Sequence, residues 1–131
     1  MGQALETVNR FFDVCNNKQG EGLEGLVADN VTFEGPLMRL SGASEYLSTV
    51  RPFLKCHKGV RMFKQFEDGD HVCSIYEMTL ATPTGATLTL ALADWIRVTN
   101  GRVVEQKIYY DPREFAKAFG MEAAGQRTER R

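Results

Sequence analysis

The stretch Ala91–Val98, with the sequence ALADWIRV, alternates like a β-strand but places a carboxylate on its apolar side. Leu92, Asp94, Ile96 and Val98 share one parity, whereas Ala91, Ala93, Trp95 and Arg97 take the other. Successive side chains of a strand point to opposite faces of the sheet, so residues of one parity line one face. Asp94 is therefore predicted to lie among leucine and isoleucine side chains. A fold tolerates such a carboxylate if it is hydrogen-bonded, or if it has a task inside a cavity.

The period of two extends on both sides of this stretch. Turn signals at Asp68-Gly69, Pro83-Thr84-Gly85 and Thr99-Asn100-Gly101 separate the segments. We expect strands over about 60–66 and 72–81, then the strand that holds Asp94, and a last strand over 102–110.

Helical spacing dominates the N-terminal part. Leu5, Val8, Phe12 and Cys15 predict an amphipathic helix near residues 3–18, and a short second helix would carry Leu23, Leu26 and Val27. A strand at 31–33 precedes a third helix that Ser41 would cap, and Asp111 would cap a last helix. Helices followed by long antiparallel strands predict an α+β fold, with the helices closing one side of a curved sheet.

Length and composition bound the functional classes. The chain has 131 residues and a formal net charge of −1, which fits one domain over residues 1–119 with a flexible polar tail over 120–131. The charge favours neither nucleic acid nor a membrane surface, and no apolar run could span a bilayer. Three cysteines without metal-type spacing predict reduced thiols in a cytoplasmic protein.

Turn geometry predicts which side chains face Asp94. A two-residue turn at Thr84-Gly85 would place Ile75, Glu77 and Thr79 on its face. After Asn100 two registers are open. A two-residue hairpin would add Glu105, Lys107 and Tyr109, whereas a three-residue loop would add Val104, Gln106, Ile108 and Tyr110. We favour the loop, because it gathers the apolar side chains and places Gln106 opposite Asp94.

The order of elements now resembles a known family. The motifs FEGP at 33–36, SGASEYL at 41–47 and NGRVVEQKIYYDPREF at 100–115, with an acid on the penultimate strand, resemble the SnoaL-like branch of the nuclear transport factor 2-like superfamily. The likeness covers roughly residues 4–119. It implies a cone-shaped α+β barrel around a deep apolar pocket, usually in a homodimer. Ketosteroid isomerase, limonene epoxide hydrolase and polyketide cyclases belong to that superfamily.

The resemblance transfers catalytic roles only in part. Asp94 matches the position of a protonated aspartic acid in ketosteroid isomerase. The isomerase tyrosine falls on Phe11 and its base on Gly35, so the steroid reaction is not expected. The aspartate–arginine–aspartate set with which limonene epoxide hydrolase activates water falls approximately on Glu77, Ile75 and Ile108. The catalytic acid of the SnoaL-type cyclases also falls on Ile108.

Asp94 is the candidate catalytic residue, as an acid or a base, and its alternative role is a hydrogen-bonded structural aspartate. The residues predicted to bind a small apolar or aromatic ligand are Phe11, Phe33, Glu77, Leu92, Gln106, Ile108 and Tyr110. Asp111 is explained as a helix cap. His57 and His71 are not spaced as metal ligands, so no metal or cofactor is expected.

Trp95, Val103 and Tyr109 are predicted to lie on the opposite face of the sheet, where large apolar groups suggest a homodimer interface. The sequence thus favours a pocket protein with cofactor-free isomerase, cyclase or hydrolase chemistry. A non-catalytic ligand-binding protein and a protein-interaction module are the alternatives.

Overall fold

The computed structural model describes residues 2–120. Its helices are α1 (Gln3–Asn17), α2 (Ala43–Leu54) and α3 (Arg113–Ala118), with a 3₁₀ turn at Leu23–Gly25. Its strands are β1 (Val27–Glu34), β2 (Arg39–Ser41), β3 (His57–Asp68), β4 (His71–Ala81), β5 (Thr87–Thr99) and β6 (Arg102–Tyr109). The predicted α+β class is confirmed.

One open, curved sheet holds all six strands in the order β2-β1-β6-β5-β4-β3. Neighbouring strands are antiparallel except β1 and β6, which run parallel. The short strand β2 was not predicted from the sequence. Ser41, predicted as the cap of the third helix, ends β2, and α2 begins at Ala43. The second predicted helix is only a 3₁₀ turn, and Val27 already belongs to β1.

Helix α1 lies across the inner face of the sheet and contacts β3, β4, β5 and β6. Its buried side chains include Val8, Phe11, Phe12 and Cys15, whose spacing of three to four residues puts them on one side of the helix. Glu67 of β3 holds the start of this helix, because its carboxylate accepts the N–H groups of Gly2 at 3.0 Å and Leu5 at 2.9 Å.

The turn between β4 and β5 is longer than the sequence predicted. The backbone N–H of Thr82 donates to the carbonyl of Ala86, so three residues form the loop, with Gly85 at φ 89°. Compared with the predicted two-residue turn, one extra loop residue places every side chain of β4 on the opposite face of the sheet relative to β5. Tyr76 therefore pairs with Leu92 on the inner face, and Glu77 pairs with Ala91 on the outer face. The predicted placement of Ile75, Glu77 and Thr79 beside Asp94 is wrong.

The turn between β5 and β6 also differs from the favoured loop. Asn100 and Gly101 form a two-residue turn with φ of 53° and 74°, as a type I′ hairpin requires. Val98 pairs with Val103 but Arg97 pairs with Glu105, so this shift in pairing leaves Val104 as an extra, bulged residue in β6. The shift restores Gln106 to the inner face as predicted, although its Cα partner is Ile96 and not Asp94.

The same turn and shift decide where the valines of β6 lie. Val103 pairs with Val98 and is fully buried, so its predicted place on the outer face is wrong.

Within residues 2–120 no helix is long and apolar enough to cross a membrane. The predicted tail lies outside the described residues except for Gly120.

Candidate functional site

A cavity of about 350 Å³ lies between the inner face of the sheet and the helices. Its size is within the range of about 300–1,000 Å³ that small-molecule sites occupy. Most of its wall is apolar. Aromatic side chains come from α1, β1, α2, β4 and the C-terminal segment, namely Phe11, Phe12, Phe33, Tyr46, Phe53, Tyr76, Tyr110, Phe115 and Phe119. Leucines, methionines and Ile108 fill the spaces between them.

Asp94 is part of this wall and is only 1% exposed. Two neighbours hydrogen-bond to its carboxylate. The Tyr76 hydroxyl donates to Oδ2 at 2.7 Å, and the Gln106 amide nitrogen donates to Oδ1 at 3.0 Å and to Oδ2 at 3.2 Å. The Tyr46 hydroxyl in turn donates to the Gln106 amide oxygen at 2.7 Å. Tyr46 thereby orients the Gln106 amide so that its nitrogen faces the carboxylate.

Strand pairing explains how these groups meet. Asp94 pairs with Ser74 of β4 and with Ile108 of β6. Tyr76 and Gln106 each lie two residues along from those partners, so both are diagonal neighbours of Asp94 on the inner face. Tyr46 comes from α2, whose packing on β1 and β2 brings its ring over the sheet.

Burial dominates the electrostatics of Asp94. Removal from water disfavours the ionised form and raises its pKa from 3.8 to about 6, while the hydrogen bonds from Tyr76 and Gln106 lower it. Burial also raises the pKa of Tyr46 and of Tyr76 well above 10, so both remain hydroxyl donors. The pKa of Cys15, another wall residue, is raised to about 12 by burial and by the nearby Asp94.

This network supports acid–base chemistry at a single carboxyl group. Every donor proton described above points toward Asp94 or toward its partner Gln106, and none toward the cavity. Among residues 2–120 the Gln106 N–H is the only donor to Oδ1, so a lone pair remains for a proton or for a donor group. Above about pH 6 the site can accept a proton, and below it Asp94 can donate one.

The predicted site residues fall into two groups. Besides Asp94, the wall contains Phe11, Phe33, Leu92, Gln106, Ile108 and Tyr110. Glu77 is absent from it and instead lies 3.8 Å from Arg61 on the outer face. Its predicted role as a pocket residue is therefore wrong, and among the described residues the cavity wall contains one carboxylate, Asp94, in place of the expected two.

Tyr110 lines the cavity without reaching Asp94. Its ring packs against Phe115 at 5.9 Å between centroids, in an edge-on arrangement. The tyrosine that hydrogen-bonds to Asp94 is Tyr76, which belongs to the parity of β4 opposite to the predicted Ile75, Glu77 and Thr79. Asp111, predicted as a helix cap, is exposed and accepts the backbone N–H of Arg113 at 3.1 Å.

The cavity wall also contains polar side chains that were not predicted from the sequence, among them Asn16, Tyr46, Thr49, Tyr76 and His57. A signal for Tyr76 was present, because Val72, Tyr76, Met78 and Leu80 form the more apolar parity of β4. Tyr46 is recognised only through contact between α2 and β6. His57 was assigned to a loop, whereas it opens β3. Within residues 2–120 no three His, Cys, Asp or Glu side chains are grouped as a metal site requires, and the absence of a metal or cofactor stays a prediction.

These features define an α+β protein with a curved open sheet over an apolar cavity that contains one buried acid. The SnoaL-like domain model matches residues 8–106, so the chain belongs to the SnoaL-like domain family. No curated protein matches the chain.

Solved structures share the fold. A nuclear transport factor 2-like protein of unknown function from Cytophaga hutchinsonii is 24% identical, with a TM-score of 0.73 over 86% of this chain and 93% of its own. A Bacillus subtilis protein with an inferred isomerase activity is 20% identical, with a TM-score of 0.78 over 91% and 94%. A protein from Jannaschia sp. CCS1, inferred to be a SnoaL-like polyketide cyclase, is 16% identical, with a TM-score of 0.74 over 89% and 91%.

Proposed function

We propose that this domain binds a small, mostly apolar or aromatic molecule in its cavity and moves a proton on it through Asp94, without a cofactor. The observation that carries the proposal is a buried carboxyl group in the wall of an aromatic-lined cavity, with a pKa of about 6. A general base works best when its pKa lies near the operating pH, because it is then both ionised and basic enough.

The expected chemistry is isomerisation, cyclisation or hydration. Asp94 in its ionised form would take a proton from a C–H or O–H group of the ligand through Oδ1. In isomerisation or cyclisation the resulting carboxylic acid would return that proton to another atom of the same molecule, so Asp94 ends as it began. In hydration Asp94 would instead take a proton from a water molecule as the water oxygen bonds to the ligand, and would return it to the ligand atom that receives the electron pair. Tyr76 and Gln106 would hold the carboxyl group in place throughout. The inferred isomerase activity of the Bacillus protein and the inferred cyclase activity of the Jannaschia protein support the first two of these reaction classes.

A non-catalytic ligand-binding role is the second candidate. It is favoured by the positions that match catalytic groups of ketosteroid isomerase, since Phe11 has no hydroxyl and Gly35 has no side chain. In this role Asp94 would only accept a hydrogen bond from the bound molecule.

Two measurements test these proposals. Mass spectrometry of the gently purified protein, before and after denaturation, should release a small apolar or aromatic molecule, and a protein that carries and binds none would contradict both roles. Incubation of enolisable ketones in D₂O should then show exchange of their acidic C–H protons by NMR. Asp94→Asn should abolish the exchange, and Asp111→Asn, on the surface, should leave it unchanged. Equal exchange by wild type and Asp94→Asn would eliminate catalysis by Asp94.

The outer face of the sheet supports a homodimer. Phe66, Ile75 and Tyr109 are exposed there by 54%, 38% and 59%, and Trp95 lies between β4 and β6 on the same face. An apolar area of this kind commonly marks an interface. Lys64 pairs with Ile75 and Lys107 with Trp95, while Glu77 and Glu105 supply the opposite charge, so a two-fold arrangement could match unlike charges. Light scattering should give twice the chain mass for wild type and the single mass for Tyr109→Glu.

We further propose that residues 1–119 act as one domain in the cytoplasm. Support for a reducing compartment comes from Cys15, Cys56 and Cys73, which are all free thiols. Thiol titration of freshly lysed cells should find all three reduced, and an intermolecular disulfide would contradict this.

A further inference from the structure

A second ionisable side chain, that of His57, belongs to the cavity wall near the other end of the inner face. His57 opens β3 and pairs with Leu80, a fully buried residue on the inner face of β4. His57 is part of the cavity wall, as are Phe53 and Leu54 at the end of α2. The ring nitrogen Nδ1 is buried and makes no hydrogen bond to any residue in the described range 2–120.

An unpartnered nitrogen is unusual in such a place. Buried polar groups nearly always have a hydrogen-bond partner, because losing water without replacement is costly. Burial lowers the pKa of His57, so the ring is neutral near pH 7 and offers one donor nitrogen and one acceptor nitrogen. Tyr46, Tyr76 and Gln106 hydrogen-bond to one another or to Asp94, whereas Nδ1 of His57 has no partner among residues 2–120.

His57 and Asp94 lie at opposite ends of the inner face. Their partners on β4 are Leu80 and Ser74, which are six positions apart, so the backbone path between them is at most about 20 Å. Side chains on the inner face of a curved sheet lie closer together than this path. Met78, Leu90 and Leu92 line the wall between them. The stretch of wall between them is therefore apolar on the β4 and β5 side, and Asn16, Thr49 and Tyr110 are further polar residues of the same cavity.

We propose that the ligand is elongated and carries an uncharged oxygen, a hydroxyl or a carbonyl, that hydrogen-bonds to the His57 imidazole at the end remote from Asp94. This inference rests on the proposed function, since it concerns a molecule in the same cavity. It assigns His57 to ligand selection and gives it no part in moving protons.

Two rigid aromatic probes test the assignment by calorimetry. 4-Hydroxybiphenyl has a hydroxyl group at one end, and 4,4′-dihydroxybiphenyl has one at each end. Wild type should bind the dihydroxy compound about fivefold to tenfold more tightly, the effect of one net hydrogen bond. His57→Phe should remove this preference and leave the affinity for the monohydroxy compound unchanged. The control is His71→Phe, which alters the other histidine, a half-buried residue outside the cavity wall, and this variant should keep the preference.

The ¹⁵N NMR signals of the His57 ring provide a readout on wild type alone, independent of how well the variant folds. They should move on addition of the dihydroxy compound and stay in place with the monohydroxy compound. Binding of both compounds with equal affinity, or a preference that survives His57→Phe, would overturn the role of His57 and leave the cavity proposal intact. Failure of wild type to bind either compound would overturn both.

Discussion

Asp94 should make the folded state less stable as the pH rises. Its pKa is about 6 in the folded protein and 3.8 when water surrounds it. Between these values the folded chain binds more protons than the unfolded chain, so the free energy of unfolding falls as the pH increases. Two pKa units at about 1.4 kcal/mol each give a loss of about 3 kcal/mol between pH 4 and pH 8.

Asp94→Asn isolates this effect, because asparagine does not titrate and the other ionisable groups are shared by both proteins. Urea denaturation at several pH values should show wild type losing about 3 kcal/mol relative to Asp94→Asn from pH 4 to pH 8. Most of the loss should fall between about pH 4 and pH 6. A difference between the two proteins that is the same at pH 4 and pH 8 would refute the argument.

Asp111→Asn is the matched control. Asp111 is exposed, and its hydrogen bonds with Arg113 lower its pKa to about 2. The sign is therefore opposite: the stability that Asp111 contributes is present above its unfolded pKa of 3.8 and is lost as the pH falls toward 2. Wild type and Asp111→Asn should keep a constant difference between pH 4 and pH 8.

Three further predictions concern the contacts described above. Tyr76→Phe removes a hydrogen bond that lowers the pKa of Asp94, so the midpoint of the Asp94 titration measured by NMR should rise above 6. An unchanged midpoint would argue against that bond. Glu77→Gln should leave calorimetric affinity for 4-hydroxybiphenyl unchanged, because Glu77 faces outward; weaker binding would contradict the strand register. Glu67→Gln weakens the acceptor at the start of α1 and should cost about 1 kcal/mol in urea denaturation, and no loss would deny that contact a stabilising role.

The sequence predicted the class of fold and the inner face of β5 correctly, because both follow from hydrophobic periodicity. It failed on β4, because the face of a strand depends on the length of the turn that precedes its partner. Three loop residues in place of two sent Glu77 outward and brought Tyr76 to Asp94. The alternation of β4 itself, with Val72, Met78 and Leu80 in one parity, was a better guide than the turn.

The prediction for β6 was correct for the faces of Gln106 and Ile108, whereas the favoured loop and the placement of Val103 were wrong. Gln106 and Ile108 face inward as expected, but through a two-residue turn and a shift in pairing at Val104. A bulge leaves little signal in the sequence, so its position could not be predicted. The same limit applies to Tyr46, whose contact with Gln106 joins residues 60 positions apart.

The most direct test of the account is a ¹³C NMR titration of the Asp94 carboxyl carbon in wild type, assigned by its disappearance in Asp94→Asn. Burial in the cavity wall predicts a midpoint of about 6. A midpoint near 3.8, the value of a carboxyl group in water, would contradict the claim that this fold keeps an acid of perturbed pKa inside an apolar cavity.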